Sequence, residues 1–351
     1  MLLFIKVSNN NNSISKSIKN NKSIIKILIL LLKHNNKVYH QAMKNYLLTR
    51  ILNILLMIFV LSIVLFFLIN ILPGSSSSIV FYELDNSSLI NQYNADLNLE
   101  GSLISRYFTY LNSLIHLDFG TSIYNTSVSS LVLSHFETTA LLAIVSLVFT
   151  LILANATVFI TYYFNNKLCK TIKEALVLLS YSVPPFVLAI IFIIISMSFN
   201  FVPISGYSNS NLFASLHYLI LPGIIIAIIY SGFFISVLSN GLDRELKRKY
   251  ILLAKSKGCG KSQIFLQAYR NVKNENITVI SQSAISLFTS SAAIEYIFSL
   301  PGLGNLIITS IASRDLNTLH AILVLSIIIS LFVSLLSDVI IFLLDRRIKV
   351  E

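Results

Sequence analysis

The sequence predicts an all-α polytopic membrane protein with six transmembrane helices and both termini in the cytoplasm. Three observations predict it. Apolar residues make up 55% of the chain and charged residues only 12%, with a mean hydropathy of +0.77, far from the balance of a water-soluble domain. Six stretches, about 51–72, 138–164, 175–199, 216–238, 277–298 and 319–344, match the roughly 20 apolar residues that a helix needs to cross a bilayer. The segments between them alternate between basic and acid-rich or nearly uncharged, as they must if Lys and Arg stay on the cytoplasmic side.

Taken in order, residues 1–42 are a low-complexity N-terminal extension. NNNNSISKSIKNNKS has too few apolar residues to build a core, and the run IIKILILLL is too short to span and is interrupted by Lys26. No small-residue cleavage site follows that run, so it does not read as a signal peptide. MKNYLLTRILNILL, from Met43, is a natural cytoplasmic start, and the expectation is that the functional chain begins near it, with 1–42 disordered or not translated. Residues 43–72 then form the first span.

Segment 73–137 carries six acids (Glu83, Asp85, Asp96, Glu100, Asp118, Glu137) against a single Arg106, which places it outside. The remaining five spans form a core over 138–345. Within it, Lys167, Lys170 and Lys173 place 165–174 inside, and nine Lys and Arg residues place 239–276 inside. Segments 200–215 and 299–318 hold only Arg314 between them and alternate to the outside. Residues 346–351 form a basic cytoplasmic tail. The formal net charge of +11 is thereby explained by topology, and a nucleic-acid-binding surface is excluded for want of a basic soluble domain. Cys169 and Cys259 both fall in cytoplasmic segments, where no disulfide is expected.

The octet KSKGCGKS, residues 255–262, ends like a phosphate-binding loop, but Lys255 stands where the first glycine belongs and no strand precedes it. Upstream, Leu242, Leu246, Tyr250, Leu253 and Ala254 recur at helical spacing, leaving Arg244, Lys247, Arg248 and Lys255 off that face. Downstream, Phe265, Ala268, Tyr269 and Val272 repeat the pattern. The octet is therefore a hinge between two amphipathic helices, with Gly258 and Gly260 at positive φ and Ser262 as cap of the second. Such a hairpin either lies in lipid headgroups or inserts into a partner's groove; geometry alone favours neither.

Several motifs give the chain a family resemblance. RILNILLMIFVLSIVLFFLINILPG, LDFGTS (117–122), SVPPF, FVPISGY and YLILPG stand in order, and EYIFSLPGLGNL is followed by RDLNTLHA. From about Arg50 to Lys349 the chain resembles the permease subunits of ABC importers for oligopeptides, dipeptides and nickel or metal chelates. The hairpin is similar to that family's coupling loop, in which Ala254, Gly258, Arg270 and Asn271 match and Tyr250 and Leu253 lie alongside. Glu295, Pro301, Gly302, Gly304, Arg314 and Asp315 match the family's external string, which the resemblance makes a gate or turn. Departures are Leu252 and Leu253 for Glu-Ala, Gln267 for His, Glu275 and Asn317 for Pro, and Asp345-Arg346-Arg347 for Asp-Pro-Arg.

The resemblance implies a type I ABC importer permease fold in the cell membrane. It implies a second homologous permease subunit, two ATP-binding cassette ATPases that use ATP and Mg, and an extracytoplasmic substrate-binding protein. This chain itself would bind no cofactor and catalyse no reaction. Peptide, nickel and metallophore all stay open as cargo. The competing reading is a secondary transporter not coupled to ATP, but no convincing internal repeat supports it. No catalytic constellation is visible, and His116, His135, His217 and His320 lack metal-site spacing. Glu295 reads either as a pathway residue or as an interfacial carboxylate, and Asp338 as a helix-packing hydrogen-bonder. Gly302 and Gly304 are expected to supply positive φ in an external turn.

Overall fold

A computed structural model describes residues 48–67, 103–116, 118–199, 203–208, 210–272, 277, 279–283, 286 and 291–344. By contact density the chain divides into Met1–Leu56 with Arg347–Glu351, and Met57–Arg346. In the first of these, residues 48–56 are described; they are helical and present Leu48, Leu52, Leu55 and Leu56 outward. They open helix α1, Leu48–Phe67. All that follows lies within Met57–Arg346.

Among the described residues the secondary structure is helical apart from one isolated bridge between Thr121 and Ser127. Helices α2 (Leu103–Ile115) and α3 (Val128–Phe164) are followed by α4 (Lys167–Ser182) and α5 (Pro185–Phe199). Next come α6 (Leu212–Leu246), α7 (Lys249–Ser256) and α8 (Lys261–Asn271). After a helical stretch at 279–283, α9 (Ala292–Ile297), α10 (Leu303–Ala312) and α11 (Leu316–Leu344) complete the order.

Four helices, α1, α3, α6 and α11, are long and apolar enough to cross a membrane, and α4 with α5 makes a fifth crossing if the bent pair is one span. That pair corrects the straight span expected over 175–199. The helix begins at Lys167 and turns by 115° before Pro185. The cause is local: Val183 precedes Pro184 and sits in extended conformation (φ −101°, ψ 122°), because the proline ring clashes with a helical residue before it. Pro185 then occupies the first helical position, where its missing N–H leaves no orphan.

Two helices outrun the bilayer. At 37 residues α3 is about 55 Å long, and at 35 residues α6 is about 52 Å, against a hydrocarbon core of about 30 Å. The expected external segment 73–137 therefore already contains the first turns of α3, and the expected cytoplasmic loop 239–276 begins with the last turns of α6. The ends are fixed by polar caps. Asn166 accepts from the Cys169 N–H at 2.8 Å and Asn211 from the Ala214 N–H at 2.8 Å. Residues 278, 284, 285 and 287–290 of the expected span 277–298, the end of the first span and residues 1–42 lie outside the described residues.

The core has three apolar clusters. The first unites Val128, Val132, Leu303, Leu306, Ala321 and Ile322; the second is built around Leu142, Leu219, Ile225 and Phe298. The third joins Ala154, Val158, Phe234 and Leu238 to Ile251, Ile264 and Ala268 of the hairpin. Helix α3 contributes to all three, so it links the α10–α11 end of the core to the hairpin. Three of its buried hydroxyls are satisfied along its own backbone: Ser146 donates to Leu142 O, Thr150 to Ser146 O and Thr157 to Leu153 O, at 2.6–2.7 Å. Glycines let α6 press close: a Cβ at Gly223 would stand 2.8 Å from Val145 Cγ1, and one at Gly232 would collide with Ser180.

Candidate functional site

The hairpin starts where α6 ends. At Lys247–Arg248 the chain turns out of the helix, and Arg248 is extended (φ −71°, ψ 150°). This break corrects the single apolar face expected from Leu242 to Ala254. Leu242, Ile251 and Ala254 are buried, whereas Leu253 is 63% exposed and Leu252 56%. Once the register is reset, Ile251 and Ala254 point inward and the leucine pair outward.

Gly258 does what the octet predicts. It ends α7 with φ +77°, Cys259 N–H donates to Ala254 O at 3.1 Å, and Gly258 N–H donates to Lys255 O at 3.0 Å. This pair of hydrogen bonds closes a helix with a left-handed residue after its last turn. Gly260 is different from the expectation: at φ −69° it is the N-cap of α8, and Ser262 lies inside the helix. The side-chain oxygen of Gln263 accepts from the Gly260 N–H at 3.4 Å.

Polar side chains brace the hairpin. Tyr250 Oη donates to Glu245 Oε2 at 2.7 Å and accepts from Asn271 Nδ2 at 2.8 Å, while Arg248 Nε pairs with Glu245 Oε1 at 3.0 Å. Burial, with Glu245 adding to it and Asn271 opposing, pushes the Tyr250 hydroxyl above its usual range. Tyr269 Oη donates to Asn155 Oδ1 of α3 at 2.7 Å, and burial raises this hydroxyl too, so both tyrosines stay proton donors near neutrality. Arg270 is exposed. On the outside, Leu252, Leu253 and Leu266 (49% exposed) lie among exposed Lys249, Lys255, Lys257 and Lys261.

A second constellation lies around α9–α11. Glu295, fully buried, accepts four hydrogen bonds: from Thr139 Oγ1 (3.0 Å) and Ser291 Oγ (2.7 Å) on Oε1, and from the Gly304 N–H (2.7 Å) and Asn305 N–H (3.2 Å) on Oε2. Thr139 Oγ1 in turn accepts from the Leu303 N–H at 2.8 Å. The carboxylate thus caps the N-terminus of α10, where the helix dipole and free N–H groups favour negative charge. It is closed off from solvent within the chain.

The glycines here serve close approach rather than the positive φ expected of them. Gly302 has φ −112°, and a Cβ on it would collide with Glu295; one on Gly304 would collide with the backbone of Ala292. The left-handed residues are instead Ser299 (φ 53°) and Arg314 (φ 52°), each closing the preceding helix as Gly258 does. Pro301 is half-buried beside Gly302.

Asp315 repeats the Glu295 arrangement one helix later. It is buried and caps α11, accepting from Thr318 N–H (3.2 Å) and Thr318 Oγ1 (2.7 Å). Its Oδ2 also accepts from Ser122 Oγ at 2.6 Å, and Asn317 Nδ2 donates to Thr121 O at 3.0 Å. The two motifs LDFGTS and RDLNTLHA are thereby one contact. Sequence reasoning missed Thr139, Ser291, Asn155 and Glu245, whose partners are 3 to 164 residues away along the chain.

The long apolar helices, the basic hairpin and the cap-linked motifs around Glu295 and Asp315 fit a membrane transport subunit. Residues 146–350 match the family of binding-protein-dependent transport system inner membrane components, and the chain belongs to that family. It is a permease of the inner membrane, a transport component rather than an enzyme, and the secondary-transporter reading gives way to binding-protein-dependent transport. It is 26% identical over 311 residues to the dipeptide transport system permease protein DppB of Lactococcus lactis subsp. cremoris, covering 88% of this chain and 100% of that one. The oligopeptide transport system permease protein OppB of Haemophilus influenzae is 26% identical over 312 residues, with the same coverage. The glutathione transport system permease protein GsiC of Escherichia coli O1:K1 / APEC is 24% identical over 302 residues, 85% of this chain and 96% of that one.

Proposed function

We propose that this chain is one half of the translocation path of an ATP-driven importer of peptides. It crosses the membrane six times with both termini in the cytoplasm, and a second homologous permease subunit completes the path. Two ATP-binding cassette ATPases, which hold ATP and Mg, dock on the cytoplasmic hairpins, and an extracytoplasmic binding protein delivers cargo. Peptides are favoured over nickel or metallophores because the three relatives above are named for dipeptide, oligopeptide and glutathione transport.

The observation that carries this reading is the two-faced hairpin. Its inner face (Ile251, Ala254, Ile264, Ala268) is sunk into the α3–α6 core, and its outer face offers Leu252, Leu253 and Leu266 in a basic frame. An apolar centre with a charged rim is the anatomy of a protein interface. Tyr250, Gly258 and Asn271 hold the shape of that element, and Arg270 is exposed on it. ATP-driven closure of the ATPases pulls the hairpin, and α3 and α6, packed on it, carry the movement to the α9–α11 end. There Glu295, Pro301, Gly302, Gly304, Arg314 and Asp315 frame the external gate, the two carboxylates keeping α10 and α11 in register while the gate opens. Replacing Leu252 and Leu253 together by Asp tests the docking: the ATPases are expected to stop co-purifying with the permease. Unchanged co-purification would contradict the proposal.

A further inference from the structure

The geometry points to Asn155 and Tyr269 as the strap that makes α3 follow the hairpin. This rests on the hairpin being the coupling element. Aromatic rings and hydroxyls bridge α8 to α3: Phe265 meets Phe159 edge-on at 5.2 Å and Tyr162 at 5.1 Å, and Tyr162 Oη donates to the backbone Lys261 O at 3.3 Å. Positions 155, 159 and 162 on α3 therefore face 261, 265 and 269 on α8, two rows at helical spacing. Apolar rows hold two helices together but slide past each other at little cost, since dispersion and burial have no direction. A directed hydrogen bond does not slide.

Tyr269 supplies it. Its ring stacks on Phe265 at 5.7 Å, which aims the hydroxyl at Asn155 Oδ1, 2.7 Å away. Asn155 is oriented from its own helix: Nδ2 donates to Leu151 O at 2.8 Å, leaving the carbonyl oxygen turned toward α8. Each partner is pre-set by a second contact, so the bond fixes the register of lever and span. Both are part-buried rather than members of the exposed leucine face offered to a partner, so both are positioning residues.

The test uses the complete transporter in nanodiscs and reads ATPase rate with and without its binding protein. Tyr269→Phe keeps ring and stacking and deletes only the hydroxyl. It is expected to retain ATPase co-purification and to lose at least threefold in the stimulation by binding protein. Asn155→Leu is expected to do the same, and the double variant to be no worse than either single one. Stimulation at the wild-type level in Tyr269→Phe would overturn the strap, as would additive losses in the double variant. If Asn155→Leu fails to assemble, Tyr269→Phe alone decides. The Leu252→Asp/Leu253→Asp variant separates the two readings: ATPase loss there with normal stimulation in Tyr269→Phe sinks the strap alone, whereas full co-purification there sinks the coupling role.

Discussion

Removing the Glu295 carboxylate is the sharpest perturbation of the α9–α11 end. In Glu295→Ala four buried donors lose their acceptor: two hydroxyls, Thr139 and Ser291, and two backbone groups, Gly304 N–H and Asn305 N–H. The hydroxyls can rotate toward helix carbonyls, but the amides are fixed by α10. Each stranded donor costs about 1–3 kcal/mol, so the loss comes to about 3–5 kcal/mol, in the range for breaking a buried charge network. Glu295→Gln is milder. Its oxygen can serve the two amides and its NH2 the hydroxyl lone pairs, so only charge assistance and the dipole term go, about 1–2 kcal/mol.

At roughly 2–4 °C per kcal/mol, the midpoint should fall by about 6–20 °C for Ala and by about 2–8 °C for Gln. The assay is loss of far-UV circular dichroism on heating the detergent-purified protein; with no tryptophan in the chain, intrinsic fluorescence is a poor alternative. An Ala variant melting within a degree of wild type, or a Gln variant as damaged as Ala, would refute the capping argument.

Other outcomes follow from the same geometry. Gly304→Ala drives a methyl into the Ala292 backbone and is expected to destabilise by about 1–3 kcal/mol, read in the same melt. Ser299→Gly removes a side chain from a left-handed position and should raise stability by about 0.5–1 kcal/mol, provided φ 53° is kept. Gly258→Ala, at φ +77° with open space around its Cβ, should cost about 1 kcal/mol and leave the ATPases bound. Gly258→Pro cannot adopt positive φ or donate to Lys255 O and is expected to abolish their co-purification.

The all-helical class, the long apolar helices and the turn at Gly258 were legible because each rests on a local signal: hydropathy, charge asymmetry and glycine at a helix end. Asn271 and Asp315 were visible as members of motifs, but what they do was not. Asp315 bonds to Ser122, 193 positions away, and no periodicity encodes that. The bend in the expected third span was written in Val183-Pro184-Pro185, yet a hydropathy window averages across such a pair. Leu253 was assigned to the wrong face because one two-residue break at Lys247–Arg248 shifts the helical register of all that follows. Gly302 and Gly304 looked like turn residues because glycine answers two demands, conformation and space, and only the neighbours Glu295 and Ala292 reveal which.

The central claim is that the leucine face of the hairpin lies in the cytoplasm under an ATPase. With Cys169 and Cys259 replaced, Leu253→Cys can be probed by a membrane-impermeant maleimide in intact cells, in inverted vesicles, and in inverted vesicles stripped of the ATPases. The account predicts no labelling in cells, weak labelling in vesicles and strong labelling after stripping. Labelling from outside intact cells, or no change on stripping, would contradict it.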